Sequence, residues 1–160
     1  VADVPAAMEP EVARGRWLAL DGIRDPGNLG TILRAADWFG LDGVICSPDC
    51  VDATNPKVVQ ASMGSRFRVC LAVMELDHAL AGAAWTAGAD LEGVPLDRMD
   101  WPADGLLVLG SESHGLRPAI RQHLTRTVTI PRHGQAESLN AAMAAAVFCA
   151  EWRRNDITHI

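Results

Sequence analysis

Short apolar runs alternate with segments of helical periodicity along most of this 160-residue chain. Residues 17–20 predict a first strand, and residues 106–109, the most hydrophobic run, predict a central strand. Similar runs predict further strands at 43–46, 67–72, 83–89 and 127–130. Helices are predicted between them at 28–39, 55–63, 76–81, 118–124 and 138–154. This alternation predicts an α/β fold, with a mostly parallel sheet and helices on both faces.

The first 16 residues are polar and contain prolines, which predicts a linker or frayed start before one domain at 17–160. No apolar run approaches the roughly 20 residues that cross a bilayer, and the start lacks the apolar core of a signal peptide. The sequence therefore predicts no membrane partner. Four cysteines, without paired CxxC spacing, are expected to be buried reduced thiols in a cytoplasmic protein with no metal: Cys46, Cys50, Cys70 and Cys149.

The formal net charge of -6 argues against a protein that coats nucleic acid non-specifically. Of the 14 basic residues only Lys57 is lysine, and arginine suits phosphate and base recognition. A GC-rich genome explains the same bias equally well. The sequence lacks GxxxxGK[ST], the motif of P-loop NTPases, and it lacks GxGxxG, the dinucleotide-binding motif, after the first strand. GSESHG lacks the glycine spacing of a hydrolase nucleophile elbow.

Three glycine-containing segments each follow a predicted strand. In DPGNLGTILRAA, Asn28 and Arg34 lie on one helix, where Asn28 is also a candidate cap of the first turn. In LLVLGSESHGL, Gly110, Glu112 and Gly115 follow the central strand. Taken singly, these segments are equally typical of a capped helix with a solvated arginine and of a tight turn.

The third segment, IPRHGQAESLNAAMAAA, follows the last predicted strand and opens the long terminal helix. Ser138 is a candidate helix cap, whereas Asn140 is a poor helix former for a first turn rich in alanine. Ligands of parallel sheets bind beyond the carboxyl ends of the strands. Because all three segments fall there, we expect them to build one shared site.

The order N-x-G-x-x-x-R-x-A, G-x-E-x-x-G-L and I-P-x-x-G-x-x-x-S-L-N resembles the SpoU/TrmH-type family of the SPOUT class. That family consists of S-adenosylmethionine (AdoMet)-dependent RNA 2'-O-ribose methyltransferases, and the resemblance runs from about residue 17 to 154. It implies a C-terminal trefoil knot, rRNA or tRNA as the substrate, and a homodimer whose sites are completed by the partner chain. It also implies AdoMet contacts for seven residues: Gly110, Glu112, Gly115, Ile130, Pro131, Ser138 and Leu139.

The catalytic and RNA-proximal positions that the resemblance implies are Asn28, Arg34, Glu112, Ser138 and Asn140. A guanidinium group is always protonated, so Arg34 is expected to stabilise a developing alkoxide and to hold a phosphate. Asn28 is expected to orient Arg34 or the ribose, and Glu112 is expected to hold Arg34 or Asn28 in place. The pair Arg132–His133 departs from the family pattern, which commonly has methionine and a small residue there.

Three other functions stay open at the level of sequence. A non-catalytic RNA-binding protein can keep this fold, although the complete Asn/Arg/Glu/Asn set argues against it. An AdoMet enzyme that methylates a base or a protein is the second. A flavodoxin-like protein is the third, and the absence of tyrosine argues against it. The RNA target is not determined by these motifs.

Overall fold

The computed structural model of this chain describes residues 10–157. Six strands are present, bounded as follows: β1 (Arg16–Asp21), β2 (Gly43–Cys46), β3 (Leu71–Val73), β4 (Thr86–Pro95), β5 (Gly105–Gly110) and β6 (Thr127–Thr129). They form one sheet in the order β3-β2-β1-β5-β4-β6, and every neighbouring pair is parallel. The predicted parallel α/β sheet is confirmed, with β1 and β5 at its centre.

The described residues contain five α-helices, of which four lie between strands and the fifth follows β6: α1 (Pro26–Trp38), α2 (Pro56–Ser62), α3 (Leu76–Gly82), α4 (Pro118–Arg121) and α5 (Ala141–Ile157). Two 3-10 turns, Ser65–Phe67 and Leu96–Arg98, complete the elements of the described residues. Of the linker predicted over residues 1–16, the first nine residues lie outside the described part of the chain.

The two central strands are buried on both faces, as their continuous apolar runs require. In β1, Leu18 and Leu20 enter one hydrophobic cluster with residues of α1 and α5, while Trp17 and Ala19 enter a second cluster with α3. In β5, Leu107 and Leu109 likewise alternate with Leu106 and Val108. This two-residue alternation fixes the register, because a slip by one position would exchange the two faces.

Two predicted helix starts are wrong in an informative way. Helix α1 begins at Pro26, and its cap is Asp25, whose Oδ1 accepts a hydrogen bond of 2.8 Å from the Asn28 N–H. Helix α5 begins at Ala141, and Asn140 is its cap, because Asn140 Oδ1 accepts hydrogen bonds from the backbone N–H groups of Ala142 and Met143. Asn28 and Ser138 are therefore not caps.

Other differences have local causes. The strand predicted at 67–72 is shorter, since Gly64 adopts a left-handed backbone (φ +89) and starts a 3-10 turn, so that β3 begins only at residue 71. The strand predicted at 83–89 is longer, because β4 continues past an irregularity in its pairing with β6. All four cysteines are free. Cys46 and Cys149 are buried as predicted, whereas Cys70 is exposed at the sheet edge. Among residues 10–157, no helix combines the length and apolar character that crossing a bilayer requires.

Candidate functional site

The three glycine-containing segments meet at the carboxyl edge of the sheet. They follow β1, β5 and β6, respectively, and the first two strands are direct neighbours in register up to the pair Asp21 and Gly110. The segments carry Asn28, Glu112 and Asn140 into hydrogen-bonding contact. Residues that are far apart in the sequence thus form one site.

These three side chains form a closed triangle of hydrogen bonds. Asn28 Nδ2 donates to Glu112 Oε1 over 2.8 Å. Asn140 Nδ2 donates to Asn28 Oδ1 over 2.9 Å and to Glu112 Oε1 over 3.1 Å. The backbone N–H of Ala141 is a further donor to the same carboxylate oxygen, over 3.1 Å. Three N–H groups on one carboxylate oxygen fix both amide side chains and tie the starts of α1 and α5 together.

A first cleft of about 600 Å³ lies on one side of Glu112. Its floor is apolar and includes Leu109, Leu116 and Phe148, which are nearly fully buried. All seven residues for which the family pattern implies AdoMet contacts line this cleft: Gly110, Glu112, Gly115, Ile130, Pro131, Ser138 and Leu139. The cleft has the size and apolar character of a small-molecule site.

A second cleft of about 630 Å³ lies on the other side of Glu112. It is formed by the loop after β1, including Asp25 and Asn28, together with Asp49 and Arg117. Five residues line both clefts: Ser111, Glu112, His114, Gly115 and Ala141. The loop after β5 is therefore the wall between two adjoining clefts.

The glycines of this wall are required by close backbone approach. A Cβ atom at position 110 would overlap the backbone carbonyl group of Gly115. Gly115 itself has a φ of +62, a conformation that other residues adopt at a cost. The loop closes on itself through a hydrogen bond of 2.8 Å from the Gly115 N–H to the Ser111 carbonyl. The main chain can thus face a ligand in the first cleft directly.

An ionic network anchors the end of the same loop. The side chain of Asp21 is fully buried, and its carboxylate accepts from the backbone N–H of Arg117 (2.9 Å) and from its Nε atom (2.6 Å). The hydrogen bond to Asp21 raises the pKa of Arg117. The Ser47 hydroxyl, and then the charge of Arg117, lower the pKa of Asp49 against the opposing effect of burial. Sequence patterns gave no signal for this pairing.

Comparison with known proteins decides the family. The model of the SpoU rRNA Methylase family matches residues 15–150. The chain belongs to the SpoU rRNA methylase family. It is 35% identical over 153 residues to the 23S rRNA (guanosine(2553)-2'-O)-methyltransferase RlmP of Bacillus subtilis, which covers 92% of this chain and 62% of that protein.

Solved structures of SpoU relatives share the fold. An AdoMet-bound rRNA methyltransferase from Sinorhizobium meliloti superposes with a TM-score of 0.83 at 33% identity, over 88% of this chain and 56% of that one. The SpoU methyltransferase AviRb from Streptomyces viridochromogenes, in complex with AdoMet, gives 0.81 at 31% identity, over 99% and 63%. The chain spans between half and two thirds of the length of these relatives.

Two site residues of the SpoU pattern lie apart from the triangle. Arg34 is exposed on α1, lines neither cleft, and forms no side-chain hydrogen bond or ion pair within residues 10–157. Asn28 and Glu112 form no hydrogen bond with Arg34 there; of the two side chains that Glu112 was expected to hold, it contacts Asn28. Ser138 is exposed on the wall of the first cleft. The pair Arg132–His133, which departs from the family pattern, also lines that cleft.

Within residues 10–157, no group of three or more His, Cys, Asp or Glu side chains is placed to hold a metal ion. The polar groups of the SpoU site are instead engaged with one another and with backbone N–H groups.

Proposed function

We propose that this chain is the catalytic domain of an AdoMet-dependent methyltransferase that acts on a ribose 2'-hydroxyl of rRNA or tRNA. The observation that carries the proposal is the triangle of Asn28, Glu112 and Asn140 at the boundary between two adjoining clefts. Group transfer requires two substrates to meet at one point, and two clefts that share a wall provide that arrangement. The relatives named as rRNA 2'-O-methyltransferases support the same activity.

The first cleft fits AdoMet in size and chemistry. Its apolar floor suits the adenosyl group, and the glycine main chain at 110 and 115 leaves room for close backbone contacts. Ile130, Pro131 and Leu139 supply apolar walls, and Ser138 a hydroxyl. When bound, AdoMet supplies an electrophilic methyl group on a sulfonium, chemistry that needs no metal. The protein's task is to position the acceptor and to stabilise charge.

We assign the second cleft to the acceptor nucleotide. Asn28 lines this cleft, and its amide is held by Glu112 and Asn140, so it is fixed for contact with the ribose. Preorganised donors of this kind stabilise charge without reorganisation during the reaction. Glu112 and Asn140 position Asn28.

We further propose that the active unit is a homodimer and that Arg34 acts in the partner's site. Arg34 is exposed and outside both clefts of its own chain, so it is available to a second copy. On α5, Met143 and Val147 lie one turn apart and are 60% and 40% exposed, an apolar stripe suited to a subunit interface. In the partner's site the guanidinium would stabilise the developing alkoxide and hold a phosphate.

The remaining finer features are part of the same proposal. The family resemblance supports a trefoil knot near the C-terminus and a single methyltransferase domain over residues 17–160. The four free thiols and the RNA named for the relatives support a cytoplasmic location.

Mapping 2'-O-methylated nucleotides in cellular RNA, with and without the gene, tests the proposed function. We expect at least one rRNA or tRNA ribose to lose its methyl group in the deletion strain and to regain it on complementation. An unchanged methylation map would contradict the proposal.

A further inference from the structure

Transfer of a methyl group to a ribose hydroxyl leaves one proton to be removed, and Arg34 cannot accept it because guanidinium stays protonated. The acceptor of that proton must reach the point where the two clefts meet. The residues that line both clefts are Ser111, Glu112, His114, Gly115 and Ala141. Of these, only Glu112 and His114 carry a basic side-chain group, a carboxylate and an imidazole.

The Glu112 carboxylate is already committed to structure. Its Oε1 atom accepts three hydrogen bonds, from Asn28, Asn140 and the N–H of Ala141. Protonation would weaken all three bonds and release the two amides that build the site. His114, in contrast, is exposed to both clefts and forms no hydrogen bond with the side chains of the triangle.

The loop orients the imidazole of His114. Its Nδ1 atom lies 2.7 Å from the hydroxyl oxygen of Ser113, and its backbone N–H donates to the Ser111 hydroxyl over 3.2 Å. The two serine hydroxyls lie 3.5 Å apart. When Nδ1–H donates to Ser113 and the Ser113 hydroxyl turns towards Ser111, Nε2 keeps a free lone pair. A hydrogen bond at one ring nitrogen selects the tautomer at the other.

We propose that His114 is the proton acceptor of the reaction and that Ser113 is the residue that positions it. The inference rests on the proposed methyltransferase function. The ribose oxygen forms a bond to the methyl carbon, and the carbon–sulfur bond of AdoMet breaks with its electron pair retained by sulfur. The hydroxyl proton passes to Nε2 of His114, which then releases it to water. Atoms and charge balance without an additional reactant.

The neutral imidazole is the active form, because only the neutral ring offers a lone pair at Nε2. Both clefts contribute charged groups that face the loop. On the acceptor side these are Asp21, Arg24, Asp25, Asp49 and Arg117, and on the other side Asp90, Arg121, Arg132, His133 and Glu137. Glu112 lies two positions before His114 and faces both sides. Variants that keep these charges constant are therefore needed.

A tautomer measurement tests the positioning without any turnover. In protein labelled with ¹⁵N-histidine, the His114 signals are those absent from the His114→Gln spectrum. For the neutral ring we expect the Nδ1–H tautomer in the wild type and a shift towards Nε2–H in Ser113→Ala. A dominant Nε2–H tautomer in the wild type would overturn the assignment.

Single-turnover methylation tests the proton transfer itself, with tritiated AdoMet and total RNA from a strain that lacks the gene. His114→Gln keeps size and polarity but has no basic ring nitrogen, and we expect a rate lower by about 100-fold or more. Binding of AdoMet should change less than about threefold, because the first cleft keeps its other walls. The matched control, His123→Gln, replaces an exposed histidine that lines neither cleft and should keep the wild-type rate.

Imidazole in the buffer should restore part of the rate of His114→Ala. A His114→Gln enzyme that keeps the wild-type rate would overturn the inference while the methyltransferase function stands. A wild-type enzyme that methylates no RNA would overturn the proposed function itself.

Discussion

Asn140 donates from Nδ2 to Oδ1 of Asn28 over 2.9 Å, across 112 positions of sequence. The same Asn140 caps α5 through its Oδ1 atom. One side chain thus starts the C-terminal helix and holds the residue that faces the second cleft. Helix formation and site assembly are coupled at this position.

The two roles of Asn140 can be separated by substitution. Asn140→Ala removes the cap and the amide donor, and should lower the free energy of unfolding by about 1 kcal/mol. Asn140→Ser keeps a good capping group and should stay near the wild-type stability. Both variants should lose at least about tenfold in methylation rate, because alanine has no donor and the single hydroxyl of serine cannot replace both hydrogen bonds that Nδ2 of Asn140 donates. Denaturant titration and single-turnover assays measure the two effects; wild-type activity in Asn140→Ser would show that the triangle is dispensable.

The glycine loop predicts two unequal effects. Gly110→Ala places a Cβ against the backbone of Gly115, so the wall of the first cleft must move, and AdoMet affinity should fall by at least about tenfold. In Gly115→Ala the new Cβ meets no protein atom within 4 Å, so the wall keeps its shape, the left-handed backbone costs about 1 kcal/mol of stability, and AdoMet affinity should fall less than in Gly110→Ala. Calorimetric titration with AdoMet compares the variants. Equal affinity for Gly110→Ala and wild type would place the AdoMet site elsewhere.

Much of the architecture could be predicted from local pattern. The apolar runs of β1, β2 and β5 are buried on both faces, so their sequence alone marks them. The start of α5 could not be placed, because an alanine-rich stretch has no boundary of its own and Asn140 acts as a cap. The pair Asp21–Arg117 joins residues 96 positions apart. No local periodicity reports such a contact, so only the folded chain reveals what anchors the loop.

Mixing two impaired variants at limiting AdoMet, where Gly110→Ala binds little of it, tests whether Arg34 acts across subunits. Arg34→Ala should abolish methylation and leave AdoMet binding intact, while Gly110→Ala impairs the pocket and leaves Arg34 intact. In mixed dimers one site combines an intact pocket with an intact arginine. Random subunit exchange should then restore roughly a quarter of the sites. No recovery in a mixture shown to exchange subunits would place Arg34 in its own chain's site.

The cysteine pair near the second cleft gives a pH prediction. A hydrogen bond with Cys46, followed by one with Ser47, lowers the pKa of Cys50 to about 6, against the opposing effect of burial. The thiolate therefore persists below neutral pH, and alkylation of Cys50 should fall only as pH drops through this range. Cys46→Ala removes the donor and should move the alkylation midpoint upwards, whereas Cys46→Ser keeps a donor and should not. Mass spectrometry follows the alkylation of Cys50 as a function of pH. Identical alkylation midpoints in the wild type, Cys46→Ala and Cys46→Ser would rule out the hydrogen bond as the cause of the lowered pKa.

Nucleoside analysis of RNA methylated by the purified protein shows whether the methyl group is transferred to the ribose. Unmodified 23S rRNA and tRNA transcripts are incubated with AdoMet, digested to nucleosides and examined by mass spectrometry. We expect a 2'-O-methylnucleoside from the wild type, formed at least about tenfold more slowly with Asn140→Ser. Methyl groups found on a base, or no methylation by protein that binds both AdoMet and RNA, would contradict it.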